Sequence, residues 1–345
     1  VGLNHPADLE AWSRWQRSRQ PLTRRARSTV DRLRGHATTA VLTRGGPWPR
    51  VVVALDATTP TARGALLRPA LHLPPEEVAV LSHHPVGDLL PGGWASTPGD
   101  AEELLREVVT AGTVVLALGH YLALGRAARD VGAERGASFV TVQHGLMTPH
   151  APPLAAGTTL LAWSEADAAF WRSGRTDVEH RVVGSQLLWD AAERPAVGLD
   201  PAASPVFLGQ LHGAELSREV VAAAAERFCR ETGATYRPHP AEVDRRSRAT
   251  HARWEADGIV VDRSPTPLRE LGRPVVGIFS TGLLEAAAAG MPAWTYLPDP
   301  PDWVREFWGR YRLHPWGGEP TPSPERPPVE PSRAVAAVVR EMMER

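Results

Sequence analysis

The sequence predicts an α/β protein built from two Rossmann-like, doubly wound domains facing a shared cleft. Three observations carry this: the length, an alternation of short apolar runs with helical stretches, and a restart of that alternation past the midpoint. At 345 residues the chain is long for a single core, so two domains are expected. The hydrophobic share of 43% and charged share of 22% are those of a folded globular protein.

In the first half, the runs Val51 to Leu55, Glu77 to Leu81, Thr113 to Leu118, Phe139 to Val142 and Thr159 to Trp163 are Val- and Leu-rich and separated by helical stretches. Continuous apolar strands of this kind belong to a parallel sheet covered on both faces. After a proline-rich break at Ala191 to Pro205, the pattern restarts with Val206 to Leu208, a helix from Ser217, then Ala234 to Arg237, Ile259 to Val261 and Val275 to Phe279. The predicted organisation is an acceptor-side domain over 1–195 and a nucleotide-donor domain over 196–318. Over 319–345 a proline-rich connector leads to a final helix from Ser332, which is expected to pack back on the first half. In doubly wound domains ligands meet the carboxyl ends of the strands, so residues that close a strand are the site candidates.

Composition narrows the chemistry. All 38 basic side chains other than histidine are arginine, which excludes a Walker lysine, a Schiff-base lysine and a lysine general base. The single cysteine, Cys229, rules out an internal disulfide or a Cys-based zinc site and reads as a buried structural thiol. A net charge of -1 gives no sign of a nucleic-acid partner. No apolar run approaches the roughly 20 residues that cross a bilayer. The N-terminus lacks a charged-then-apolar leader, so a cytoplasmic protein is expected.

Four constellations close strands. Gln143-His144-Gly145 follows Phe139 to Val142; there His144 either takes a proton from an acceptor hydroxyl or ties a loop to backbone carbonyls. Tyr236-Arg237-Pro238-His239-Pro240 holds Arg237 and His239 on a stiff turn suited to a phosphate; the alternative is a rigid turn with a solvated histidine. Phe279-Ser280-Thr281-Gly282 opens a helix that carries Glu285 and stops at Gly290. Its N-terminus is a phosphate site without lysine, with Glu285 on ribose hydroxyls, or else an ordinary cap. Gly209-Gln210-Leu211-His212-Gly213 is the first strand-to-helix loop of the second half, where glycines allow close approach of a pyrophosphate and His212 is a second phosphate donor or base. Gly119-His120-Tyr121 closes a further strand and puts His120, Tyr121 and Gln143 on the acceptor side.

The His-Gly at His144, the Arg-Pro-His-Pro at Arg237 to Pro240 and the Ser-Thr-x-x-x-Glu start at Ser280 resemble the CDP-glycerol glycerophosphotransferase family of teichoic acid polymerases. They also resemble the related bacterial polysialyl- and Kdo-transferases of GT-B fold. The resemblance covers roughly 112–292. It implies His144 as acceptor base, with His239, Ser280 and Thr281 on the phosphates of a cytidine nucleotide. The substrate would be a CMP-sugar or CDP-alditol, with no metal and no further cofactor required, and the acceptor a carbohydrate or lipid-linked hydroxyl in cell-surface polysaccharide synthesis. The chain departs from the family in having no lysines and no evident acidic base motif.

Two flanking regions bear on the acceptor. Eight arginines between Arg14 and Arg34, beside Trp12 and Trp15, are either a solvated helical face or a surface for lipid phosphate at the inner face of the membrane. Trp303, Phe307, Trp308, Tyr311 and Trp316 recur at near-helical spacing, which favours core packing. Other readings remain: a non-hydrolysing sugar-nucleotide epimerase, with Asp56 and Glu285 as its carboxylates; a non-catalytic nucleotide-sugar-binding protein; and a metal hydrolase drawing on some of the 13 histidines.

Overall fold

The computed structural model describes residues 2–19 and 38–345. The chain divides into two compact units. Val1–Gln186 with Pro327–Arg345 form the first and Leu187–Arg326 the second, so the units change at 186/187 and 326/327 where the sequence suggests 195/196 and 318/319.

Unit 1 contains an eight-stranded sheet: β1 (Thr39–Arg44), β2 (Val51–Leu55), β3 (Val78–Ser82), β4 (Ala95–Asp100), β5 (Val114–Ala117), β6 (Ser138–Val142), β7 (Thr159–Ala162) and β8 (Glu179–Val182). Their order is β4-β1-β3-β2-β5-β6-β7-β8, and only β1 runs against its neighbours. The central strands are apolar along their whole length because both faces are covered. Val51, Val53, Leu55, Val78, Val80, Val114 and Leu116 point to one face, where Leu66 and Leu67 meet Val335, Ala336 and Val339 of the final helix Pro331–Met343. Val52, Ala54, Ala79, Leu81, Val115 and Ala117 point to the other, under the helices Ala101–Val108 and Ala123–Arg135. The final helix therefore belongs to unit 1. Its first residue is Pro331, where a missing N–H removes nothing a first turn would use.

Unit 2 has a four-stranded parallel sheet of order β10-β9-β11-β12, from β9 (Val206–Leu208), β10 (Thr235–Arg237), β11 (Val275–Gly277) and β12 (Ala293–Thr295). Phe207, Tyr236, Val276 and Ile278 pack with Phe228 of the helix Arg218–Thr232 and with Trp254. Cys229 lies buried in that helix, and burial pushes its thiol up to about 12. The expected strand at Ile259 to Val261 shortens to one bridge between Val261 and Tyr236. Trp303 and Phe307 stand edge-on to Phe279, and Trp308 donates its indole N–H to Ile278 O at 2.7 Å, so these aromatics serve the packing of unit 2.

Among the described residues no helix is long and apolar enough to cross a membrane. Trp12 is buried, edge-on to Tyr121 and bonded to His150 O at 2.8 Å, and Trp15 stacks on the His150 ring at 4.6 Å. These two aromatics thus pack against unit 1. Most of the arginine-rich stretch, including Arg24, Arg25, Arg27, Arg32 and Arg34, lies outside the described residues.

Candidate functional site

In unit 2, the loops after β10, β9 and β11 leave the same end of three adjacent parallel strands and carry His239, His212 and Ser280 in that order. The imidazoles of His212 and His239 stack with centroids 3.9 Å apart and planes 18° from parallel. Nδ1 of His239 accepts the Ala241 backbone N–H at 3.1 Å, which leaves the proton of the neutral ring on Nε2. Nδ1 of His212 lies 4.0 Å from Oε1 of Glu242. Neither Nε2 has a partner among the described residues. Desolvation, then the neighbouring His212, push the pKa of His239 down to about 4, so it is a neutral N–H donor near pH 7.

Behind the pair, Glu242 is fully enclosed. It accepts from Leu211 N–H at 3.0 Å, the Tyr236 hydroxyl at 2.9 Å and His251 Nε2 at 3.0 Å. The sequence analysis does not single out Glu242, because its partners come from three separate segments. The same group explains Gly209. A Cβ there would stand 2.5 Å from the Tyr236 hydroxyl and 2.6 Å from Glu242 Oε1, so this glycine makes room for the buried pair rather than for a pyrophosphate.

Several residues assigned to phosphate by the sequence have protein partners instead. The Gln210 amide oxygen accepts from Ile278 N–H at 3.3 Å and Phe279 N–H at 3.1 Å, fastening the loop after β9 to the end of β11. Gly213 N–H donates to Gln210 O at 3.1 Å within the loop turn. Arg237 pairs with Asp262 at 3.1 Å and also bonds the carbonyls of Ser264 and Thr266, so its charge is matched and it braces the segment after Val261.

Ser280 is the N-cap of the helix Thr281–Ala288, its Oγ accepting from Gly282 N–H at 3.1 Å. Gly282 allows close packing, since a Cβ would meet Leu208 Cδ1 at 2.8 Å. The Thr281 hydroxyl and the Glu285 carboxylate have no hydrogen-bond partner among the described residues. Burial raises the Glu285 pKa and the Arg237 charge works against that rise. A half-buried carboxylate without donors has open acceptor capacity, as ribose hydroxyls require.

In unit 1, the carboxyl ends of β3, β2, β5 and β6 carry His83, Asp56, His120 and His144. Asp56 caps the helix Ala123–Arg135, accepting from Leu124 N–H at 2.8 Å and Gly125 N–H at 2.9 Å, with His83 Nε2 at 3.5 Å. Both oxygens are engaged, so Asp56 shapes the Gly119 to Leu122 turn and lacks the open carboxylate an epimerase needs. The sequence signal for this, an aspartate closing an apolar strand, is too common to be decisive.

Tyr121 packs edge-on to Trp12, and burial pushes its hydroxyl up to about 12. Gln143 corrects an expectation. It is buried, its amide oxygen accepts Trp163 N–H at 2.8 Å and its amide nitrogen donates to Gly145 O at 3.0 Å, so it clamps β6 to β7 and is shielded from an acceptor.

His120 and His144 differ from it. Each has a buried Nδ1 without a hydrogen-bond partner. Burial pushes both rings down to about 4; for His120 the charges of Arg129, Arg126 and Arg175 add to this, while for His144 burial acts alone. Both are unprotonated near neutral pH. Among the described residues no group of three or more His, Cys, Asp or Glu side chains is placed to hold a metal ion.

The chain matches no protein-family model and no curated protein sequence. The solved structures to which it is similar include the following three. A mutant O-GlcNAc transferase of Thermobaculum terrenum has 14% identity over 87% of this chain and 63% of its own, with a TM-score of 0.42. The pneumococcal O-GlcNAc transferase GtfA, solved with UDP and GlcNAc, has 11% identity over 70% of this chain and 52% of its own, with a TM-score of 0.36. A glycosyltransferase from Rickettsia africae has 10% identity over 86% of this chain and 93% of its own, with a TM-score of 0.45. The chain thus spans less than two thirds of the first two proteins.

Proposed function

We propose that the chain is a GT-B-type glycosyltransferase that uses a nucleotide-activated donor, with unit 2 binding the nucleotide and unit 1 supplying the acceptor-side base. The observation that carries this is the stacked His212 and His239 pair at the carboxyl ends of adjacent strands, with both Nε2 edges unpartnered. In a chain without lysine, and with Arg237 matched by Asp262, these edges are the donors best placed for a departing phosphate. Thr281 at the helix N-terminus adds a hydroxyl and the dipole, and Glu285 the ribose contact.

In the transfer itself, the acceptor oxygen attacks the anomeric carbon of a CMP-sugar and the carbon–oxygen bond to the phosphate breaks, or it attacks the β-phosphorus of a CDP-alditol and the phosphoanhydride bond breaks, CMP being released in either case. The electron pair leaves with the nucleotide, and the acceptor proton passes to the His144 imidazole. His120 and Tyr121 line the acceptor side. No metal or further cofactor enters this step. The donor is a CMP-sugar or CDP-alditol and the acceptor a carbohydrate or lipid-linked hydroxyl of a cell-surface polymer, on the strength of the motif resemblance at His144, Arg237 to Pro240 and Ser280.

Thermal stabilisation by CMP, CDP, UDP, GDP and ADP tests this, since a ligand that binds only the folded state raises the midpoint. The expected result is a cytidine-selective rise that shrinks when His239→Ala weakens binding about tenfold. A uridine-selective rise would replace the cytidine donor and keep the transfer. No response to any nucleotide overturns the proposal.

A further inference from the structure

The stacked pair in unit 2 rests on a carboxylate that the fold has walled off from solvent. Oε1 of Glu242 faces Leu211 N–H at 3.0 Å and His212 Nδ1 at 4.0 Å, while Oε2 takes the Tyr236 hydroxyl at 2.9 Å and His251 Nε2 at 3.0 Å. Burial alone would raise the pKa of Glu242, but His212, His251, Tyr236 and the Leu211 N–H outweigh it and hold the carboxyl at about 2. Glu242 is therefore an anion at any physiological pH. A core position seldom needs such a charge for stability, because an apolar side chain of similar volume fills the space without desolvating an ion.

One oxygen of the carboxylate bonds the buried His251, and the other faces the His212 ring. His239 is held by the Ala241 backbone, but nothing else among the described residues holds the Nδ1 edge of His212. We propose that Glu242 is a positioning residue of the phosphate site, facing the Nδ1 edge of His212 so that His212 and His239 present adjacent Nε2 edges to the phosphate of the donor. This rests on the nucleotide-donor reading of unit 2. The brace also supplies charge. Its negative charge stands behind the His212 ring, while His239 is the neutral donor set by Ala241.

Glu242→Gln separates shape from charge. Its amide oxygen can face Leu211 N–H, which only donates, while its NH2 group meets Tyr236 and His251, both of which can turn to accept. The variant is expected to fold and to weaken inorganic pyrophosphate binding about tenfold, the scale on which groups that orient a ligand-binding histidine act. The ring 15N signals of His212 should shift with it. Tyr236→Phe removes a donor only from the far oxygen, and should lower Tm while leaving pyrophosphate affinity within about twofold.

Three results overturn the inference. In the first, the wild type binds pyrophosphate, His239→Ala weakens it, and Glu242→Gln changes neither affinity nor the His212 signals; the nucleotide reading then survives alone. In the second, Tyr236→Phe weakens binding as much as Glu242→Gln, which marks general loosening. In the third, the wild type binds neither pyrophosphate nor any nucleotide, and the reading beneath fails as well. Should Glu242→Gln not fold, titration of the wild type decides: pyrophosphate must move the ring signals of both His212 and His239, and movement in neither refutes the pairing.

Discussion

The two units use histidine in opposite ways. In unit 1, His120 and His144 turn Nδ1 into enclosed space with no donor or acceptor to meet it. In unit 2, His239 Nδ1 bonds a backbone N–H and His212 Nδ1 faces a carboxylate oxygen 4.0 Å away, and both rings leave Nε2 open. An unsatisfied buried nitrogen costs about 1–3 kcal/mol, so a ring kept that way trades stability for an uncharged, reactive state. A braced ring gives up reactivity for a defined direction. In the proposed function, what stands behind Nδ1 separates the two tasks, proton transfer for unit 1 and ligand holding for unit 2.

The strongest way to break this comparison is His144→Ala. If His144 takes the acceptor proton, the variant loses at least about 100-fold in turnover and keeps the nucleotide-induced rise in Tm, because that rise is read from unit 2. Retained turnover would make His144 a buried loop residue and leave the contrast without chemical meaning.

Acid stability sharpens the comparison next. His120, His144 and His239 are pushed down to about 4 in the folded chain, against an unfolded value of 6.5. The unfolded chain therefore binds more protons than the folded one between these values, and their contribution to stability is fully present above about pH 6.5 and is lost as pH falls towards 4. For His144 the shift corresponds to about 3 kcal/mol. His239 is exposed, and solvent screens its share. Plots of Tm against pH should accordingly flatten more for His144→Gln than for His239→Gln; equal slopes would mean the two environments do not differ as described.

How much of this the sequence displays depends on where the deciding partners lie. The central strands are legible because burial on both faces leaves runs such as Val51 to Leu55 uniformly apolar. The edge strands are not. β4 reads as a turn, Ala-Ser-Thr-Pro-Gly-Asp, and Pro98 is tolerated because the strand lies at the sheet edge. β8, Glu-His-Arg-Val, is polar for the same reason. The reversed β1 escapes notice because no local pattern encodes strand direction.

Among the candidate residues, strand-closing motifs bring His144, His239, His212 and Ser280 to attention, and the topology puts each of them after the carboxyl end of a parallel strand. The roles of Gln143 and Gln210 are hidden, because a glutamine that bridges two backbones looks in sequence like one that awaits a ligand. Glu242 is hidden more deeply: its significance comes from residues 211, 212, 236 and 251 meeting in space.

The smallest expected effect concerns the end of unit 2 where capping and ligand binding overlap. Ser280 Oγ accepts from Gly282 N–H, so Ser280→Ala should cost about 1 kcal/mol of stability. Ser280→Asp caps as well as serine and adds a charge that the helix N-terminus favours, so its Tm should equal or exceed that of the wild type. For pyrophosphate the order reverses. A carboxylate at the same helix end repels a phosphate, and Ser280→Asp should weaken pyrophosphate binding about tenfold while Ser280→Ala changes it by no more than about twofold. An aspartate that stabilises the fold and leaves pyrophosphate affinity unchanged would reduce Ser280 to a cap. The phosphate contacts of unit 2 would then narrow to the two braced imidazoles, and the difference between the units would rest on His212 and His239 alone.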